Sequence, residues 1–219
     1  MKLIVRFTLG KTLRQLLDQG RLEKIADMAL RKKRVLGSLV ALTFDVDPRI
    51  GWRAVEAIGI AADRVAERDP DYVRGQLRRL YWLISEESGG ICWHAPEAMA
   101  EIIRQRPVLF EDYGVIVISL LTEMAEEDLE HFRPGILWAI GRLADVIPDH
   151  VAEVIPEIVA SIDHADPQVC GMAVWCLGKS GKSHLFRNRP ELLYDQRPVD
   201  LYEDGNINRT SVGGLARSV

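Results

Sequence analysis

The chain has 219 residues, 47% of them apolar, enough to bury a continuous core in one domain or two. Its formal charge of −4 gives no global basic signal for nucleic acid. The three cysteines, Cys92, Cys170 and Cys176, make no disulfide framework and fit a reducing compartment.

The charge is uneven along the chain. Residues 1–34 carry ten Lys/Arg against three Asp/Glu, and the remainder carries 18 against 29. Such asymmetry suits one end to an anion or an acidic partner. The apolar patch at residues 1–7 is broken by Arg6 and lacks the longer run of a signal peptide. The apolar run at 115–121 is too short to cross a bilayer. A soluble, cytoplasmic protein without membrane contact is expected.

Leu13, Leu16 and Leu17, then Leu22, Ile25, Met28 and Ala29, recur at helical spacing. They predict one or two helices over 10–31, with Gly20 as the natural break. Arg31, Lys32, Lys33 and Arg34 follow as four consecutive cations. They form a candidate anion-binding segment. Spread over one helical turn they point in several directions, and a solvated helix end is the other reading.

Four helix pairs are predicted next. Residues 35–44 and 49–67 form the first, with Asp47-Pro48 opening its second helix. Asp caps free N–H groups, and Pro fits the first helical position. The second pair runs from Asp69-Pro70 to about 86, then from about 92 to 105, broken by Ser88-Gly89-Gly90. Pro107 opens the third, whose second helix covers about 134–145 after an acidic stretch read as a solvated loop. Pro148 precedes the fourth, and Asp166-Pro167 opens its second helix, which ends near Gly178.

The repeat is visible residue by residue. Trp52-Arg53-Ala54-Val55-Glu56-Ala57-Ile58-Gly59 returns 41 residues later as Trp93-His94-Ala95-Pro96-Glu97-Ala98-Met99-Ala100. A weaker copy, Ile136-Leu137-Trp138-Ala139-Ile140-Gly141, follows after another 41, and Ala173-Val174-Trp175-Cys176-Leu177-Gly178 after 37. A period near 40 with helical patterning is that of stacked helix pairs. Asp47 and Asp166 each stand 12 residues before the closing Gly, which fixes the register independently.

After Gly181 the periodicity stops, and 182–198 read as a linker or irregular cover. Residues 199–203, Asp204-Gly205 and 206–210 read as a β-hairpin with a two-residue turn. That register pairs Tyr202 with Ile207 and Asp200 with Arg209. Ser211 or Thr210 can cap a final helix over 212–218, against which Gly213 and Gly214 count; a disordered tail is the alternative. The expected organisation is a basic helical cap at 1–34, repeats at 35–181, and a linker with a hairpin tail at 182–219.

The Asp-Pro and Ala-Val-x-Ala-Ile-Gly pattern resembles the HEAT-like repeats, including the subgroup first named for phycobilisome bilin lyases. The resemblance covers about residues 33–181. It implies an all-α fold, an α-solenoid of about four HEAT-like helix pairs, with the second helix of each pair lining a concave face. Pro96 stands where Val55 stands, and Ala100 replaces the Gly. Members of the family include scaffolds, bilin lyases and DNA-alkylation glycosylases. No catalytic residue carries over from any of them.

Following the second helices at steps of four gives one face each. These are Trp52, Glu56 and Ile60; Trp93, Glu97 and Glu101; Trp138 and Arg142; Trp175 and Lys179. On the implied concave face they border a partner-binding groove, acidic at one end and basic at the other. Packing between repeats is the other reading, because Trp is usually largely buried. Cys92 and His94 supply two ligands where zinc needs four, so no metal and no cofactor is expected. Ser88-Gly89-Gly90 before a helix can hold an anion or be a plain turn. Cys170 and Cys176, six residues apart, lie off a common helical face and read as core. The five histidines are scattered.

The function expected is a non-enzymatic scaffold that binds an unidentified protein partner, with a homo-oligomer compatible. Two alternatives follow from the resemblance. One is a bilin- or tetrapyrrole-handling lyase or chaperone, with Glu56 and Glu97 as its acidic groups. The other is a DNA-binding repeat protein, which requires a basic face that this mixture of Glu, Arg and Lys does not provide.

Overall fold

The computed structural model describes residues 2–85, 94–126 and 130–219, without the side chains of 2–8, 85, 124–126 and 130. The Ser88-Gly89-Gly90 break, Cys92, Trp93 and part of the acidic stretch lie outside the described residues. The chain is a solenoid-like arrangement of helix pairs with one C-terminal antiparallel hairpin. It divides into two compact units: residues 1–110 with 204–206, and residues 111–203 with 207–219. No helix among the described residues is long and apolar enough to cross a membrane.

The first unit holds α1 (Lys2–Asp18), α2 (Leu22–Arg31), α3 (Val35–Leu42), α4 (Pro48–Ala66), α5 (Pro70–Ser85) and α6 (Ala95–Gln105). Gly20, at φ 66°, turns the chain between α1 and α2 in a conformation an L side chain resists. Asp47 caps α4: its carboxylate accepts from the Arg49 N–H at 2.9 Å, with Pro48 in the first turn. α4 packs against both α2 and α6, which is why its small residues are buried on several sides: Ala54, Ala57, Ala61, Ala62. α4 and α6 come close at Gly59. A Cβ there would stand 2.8 Å from the Glu101 carbonyl oxygen and 2.9 Å from the Glu101 Cβ on α6.

α7 (Pro107–Glu126) is shared at its ends between the units, and the second unit continues with α8 (Arg133–Leu143), α9 (Pro148–Glu153), α10 (Ile155–Ala160) and α11 (Pro167–Lys179). Asp166 repeats the cap of α4, accepting from the Gln168 N–H at 2.8 Å. The single first helix expected after Pro148 is instead two short ones. Pro156 has no N–H and its ring opposes a continuous turn upstream, so the helix breaks at Val154.

The stretch 182–198 is more ordered than a linker. It contains a short 3-10 turn at Ser183–Leu185 and α12 (Pro190–Leu193), and it buries Phe186 completely. Strands β1 (Pro198–Glu203) and β2 (Asn206–Ser211) follow, joined at Asp204 (φ 52°) and Gly205 (φ 75°). Two successive positive φ values are those of a type I′ turn, whose twist matches the strands. The Ser211 hydroxyl then caps α13 (Val212–Ser218), accepting from the Gly214 N–H at 3.0 Å.

The closing glycine of the repeat has a constant role. Gly59 meets the next second helix at Glu101, and Gly141 meets the Trp175 ring, 2.4 Å from where its Cβ would be. Gly178 meets the Val219 side chain, 2.3 Å from where its Cβ would be. α13 packs on α11 and covers part of its apolar surface.

These contacts make a paired stability prediction. Gly59→Ala is expected to destabilise by about 1–3 kcal/mol, because the new methyl meets backbone that cannot swing aside. That exceeds the roughly 1 kcal/mol of helix propensity it gains. Gly75→Ala on α5, where a Cβ meets nothing within 4 Å, is expected to stabilise. Urea midpoints of the two variants check this, and a stabilised Gly59→Ala would refute the close approach.

Candidate functional site

In the second unit the second-helix residues gather around two indoles. Trp138 on α8 and Trp175 on α11 are each 2% exposed. Their ring centroids are 6.4 Å apart and the planes differ by 6°. One helical turn beyond each ring stands a cation over its face: Arg142 at 5.4 Å from Trp138 and Lys179 at 5.4 Å from Trp175. A cation above an indole is stabilised by roughly 0.5–1 kcal/mol where partly exposed. The spacing of four residues places ring and cation on one helical stripe.

This cluster is covered by β1. The Trp138 Nε1–H donates to the Tyr202 carbonyl at 3.0 Å, and the Tyr202 ring lies 6.4 Å from that of Trp138. The Gln168 carboxamide on α11 makes two bonds to one residue. Its N–H donates to the Asp200 carbonyl at 2.7 Å, and its oxygen accepts from the Asp200 N–H at 2.9 Å. Lys179 pairs with Glu203 at 2.8 Å. Alternate residues of a strand turn their backbone groups to the same side. The outward backbone of β1 at 200 and 202 is therefore satisfied by side chains of α8 and α11, while its inward edge pairs with β2. Val199 packs directly on α11 at Gly171, 2.5 Å from where a Cβ would stand.

In the first unit Trp52 and Glu56 on α4 are half-buried. The Trp52 ring lies 4.7 Å from the His94 ring, tilted by 58°. His94 Nδ1 is 3.1 Å from Glu97 Oε1. Burial disfavours the charged ring, but the charge and hydrogen bond of Glu97 outweigh it, and His94 titrates above its ordinary value. Glu97 and Glu101 are 2% and 1% exposed on α6. Glu97 Oε2 has no hydrogen-bond partner among the described residues, and Glu101 lies 3.6 Å from Arg104. Both carboxylates thus stand inside the packing of α4 and α6. Beside them, Arg53 donates to the Leu17, Asp18 and Gly205 carbonyls at 3.0, 2.8 and 2.8 Å. Trp93, the remaining member of the row, lies outside the described residues.

The four cations do not form one helical turn. Arg31 ends α2, Lys32 caps it, Lys33 pairs with Asp69 and stands 5.6 Å over the Tyr72 ring, and Arg34 precedes α3. Cys170 and Cys176 are fully buried on α11. Burial pushes the Cys176 thiol up to about 12, against a smaller lowering from its contact with Ser180, and burial raises Cys170 as well. Neither is thiolate near neutral pH, so neither is a ready nucleophile.

The fifth indole is the one the repeat pattern passes over. Trp82 on α5 is 71% exposed, with Tyr81 beside it 38% exposed. The buried stripe of α5 is Val73, Leu77, Leu80 and Ile84. Trp82 falls opposite that stripe, a signal that helical phase carries and that a search for repeated Trp does not.

A model described as a HEAT-like repeat matches residues 130–179. An uncharacterized protein of Archaeoglobus fulgidus is 25% identical over 183 residues, covering 81% of this chain and 91% of its own length. A designed armadillo repeat protein of known structure superposes with a TM-score of 0.51 at 20% identity, over 97% of this chain and 90% of that one. A second designed armadillo repeat protein, solved in complex with the peptide (KR)4, gives a TM-score of 0.45 at 20% identity, over 81% and 86%. The HEAT-like match is to one stretch, 130–179, and the superposition at 0.51 shows a shared fold of stacked helix pairs.

Proposed function

We propose that the protein is a non-enzymatic repeat scaffold whose second-helix ridge binds an extended segment of a protein partner. The observation that supports this is the way β1 is held. An indole N–H and a carboxamide meet alternate backbone groups of the strand, and Lys179 takes an acidic side chain. A ridge of this kind recognises extended backbone first and side chains second, as in other strand-binding surfaces. On the second unit that ridge, Trp138, Arg142, Trp175 and Lys179, is occupied by the chain's own tail. The corresponding ridge of the first unit carries Trp52 and Glu56 on α4, with Glu97 and Glu101 behind them. We assign the partner segment to Trp52 and Glu56.

The test is selection from a displayed library of random peptides, followed by binding of the enriched sequences to purified protein. Micromolar binding that falls roughly tenfold or more in Trp52→Ala is expected, with little change in unfolding midpoint. Peptides that bind Trp52→Ala as well as the parent chain would remove the ridge from the reading. A purified protein that carries visible absorbance would favour the tetrapyrrole alternative instead.

A further inference from the structure

A separate cleft of about 600 Å³ lies in the first unit among α1, α3 and α5. Its polar lining comes from two facing helical stripes. Arg34 and Ser38 are four apart at the start of α3; Tyr72, Gln76 and Arg79 are spaced by four and three on α5. Leu9, Gly10 and Leu42 supply an apolar wall.

Arg79 reaches across to α3. Its Nη1 lies 3.7 Å from where a Cβ on Gly37 would stand, and Gly37 is one turn along from Arg34. Arg79 thus ends against the first turn of α3, and Arg34, just before that helix, lines the same cleft from the other wall. Neither has an acidic partner among the described residues. Other cations of the same unit do: Arg14 with Asp45, Arg49 with Asp18, Arg64 with Glu23, Arg106 with Asp63 and Lys33 with Asp69. Two guanidiniums lining one cleft make it positive, and a bound anion offsets that charge.

The geometry points to this cleft as a binding site for a small organic phosphate of about nucleotide size. Arginine forks match phosphate oxygens two at a time and keep their charge at any physiological pH. The Ser38 hydroxyl, Gln76 carboxamide and Tyr72 phenol add neutral donors. The Tyr72 ring, with Lys33 5.6 Å from its centroid, and the leucine wall take the organic part. The volume falls in the range of small-molecule pockets. This site is independent of the ridge on α4.

Calorimetric titration of the full chain with AMP, adenosine and inorganic phosphate tests it. AMP is expected to bind with a Kd of about 1 mM or tighter, and adenosine roughly tenfold more weakly. Inorganic phosphate should bind through the same arginines but more weakly than AMP. Arg34→Gln/Arg79→Gln should lower AMP affinity roughly tenfold or more, and Arg21→Gln/Lys24→Gln should leave it unchanged. All four arginine and lysine side chains are exposed, so these variants are expected to fold. The proposal is overturned if AMP binds no better than adenosine, or if the Arg34/Arg79 variant binds as the parent does. Equal loss in both double variants would reduce the effect to the general charge of this end. A glutamate-rich peptide that binds where AMP does not would replace the phosphate with an acidic protein segment.

Discussion

Deleting residues 199–219 is expected to lower the unfolding midpoint by ten degrees or more, on the order of the shift that several kcal/mol produces in a unit this size. The deletion removes Val199, Leu201, Tyr202, Val212 and Leu215, all buried, each worth about 1.5–3 kcal/mol when fully transferred from water. It also removes the acceptor of the Trp138 N–H and both bonds made by Gln168. Trp138 and Trp175 lose their cover. Their emission should shift to the red, and the protein should bind a hydrophobic dye. A total of this size competes with the 5–15 kcal/mol that holds a typical domain together, so the second unit is expected to lose its fixed packing. An unchanged midpoint and unchanged emission would show that the tail does not dock in solution.

Trp175→Ala carries the second large effect. The ring is stacked on Trp138 and pressed against the backbone of Gly141, which has no side chain to move into the space left behind. A loss of about 3–5 kcal/mol is expected from the cavity and the lost transfer of the ring. The aromatic pair adds about 0.5–1.5 kcal/mol. A double-mutant cycle isolates the mechanism. Gly141→Ala in the parent chain puts a methyl 2.4 Å from the Trp175 ring and should destabilise. In the Trp175→Ala background the same change fills part of the cavity and should stabilise. Additive urea midpoints would refute the direct contact. These large losses also mean that weakened partner binding in Trp138 or Trp175 variants cannot be separated from loss of packing. Trp52, half-buried on α4, is the better probe of the ridge.

The tail shows why some expectations needed the structure. Gly213 and Gly214 count against a helix on propensity alone, by about 1 kcal/mol each. In the fold a Cβ on Gly213 would lie 2.5 Å from the Leu193 carbonyl oxygen, so the residue that weakens the isolated helix is what lets it dock. Phe186 shows the same limit. Nothing periodic surrounds it, yet it is completely buried. The indoles show it most plainly. Trp138 and Trp175 belong to the repeat but are sealed by a strand some 60 and 30 positions away in sequence, and Trp82, outside the repeat, is left on the surface.

Period, caps and turn chemistry were legible because each depends on neighbours in the chain. The Asp47 and Asp166 caps with their prolines, the Asp204-Gly205 turn and the Ser211 cap all act within a few residues, and the 41-residue repeat is read from the residue types alone. By itself, then, the sequence determined the helix pairs, their register and the closing hairpin. Tertiary structure alone decided which faces stay open. It laid β1 along α8 and α11, set Val219 against Gly178, drew Glu97 and Glu101 inside, and brought Arg34 and Arg79 to one cleft. Burial is a property of what arrives from elsewhere in the chain, and no local pattern specifies that arrival.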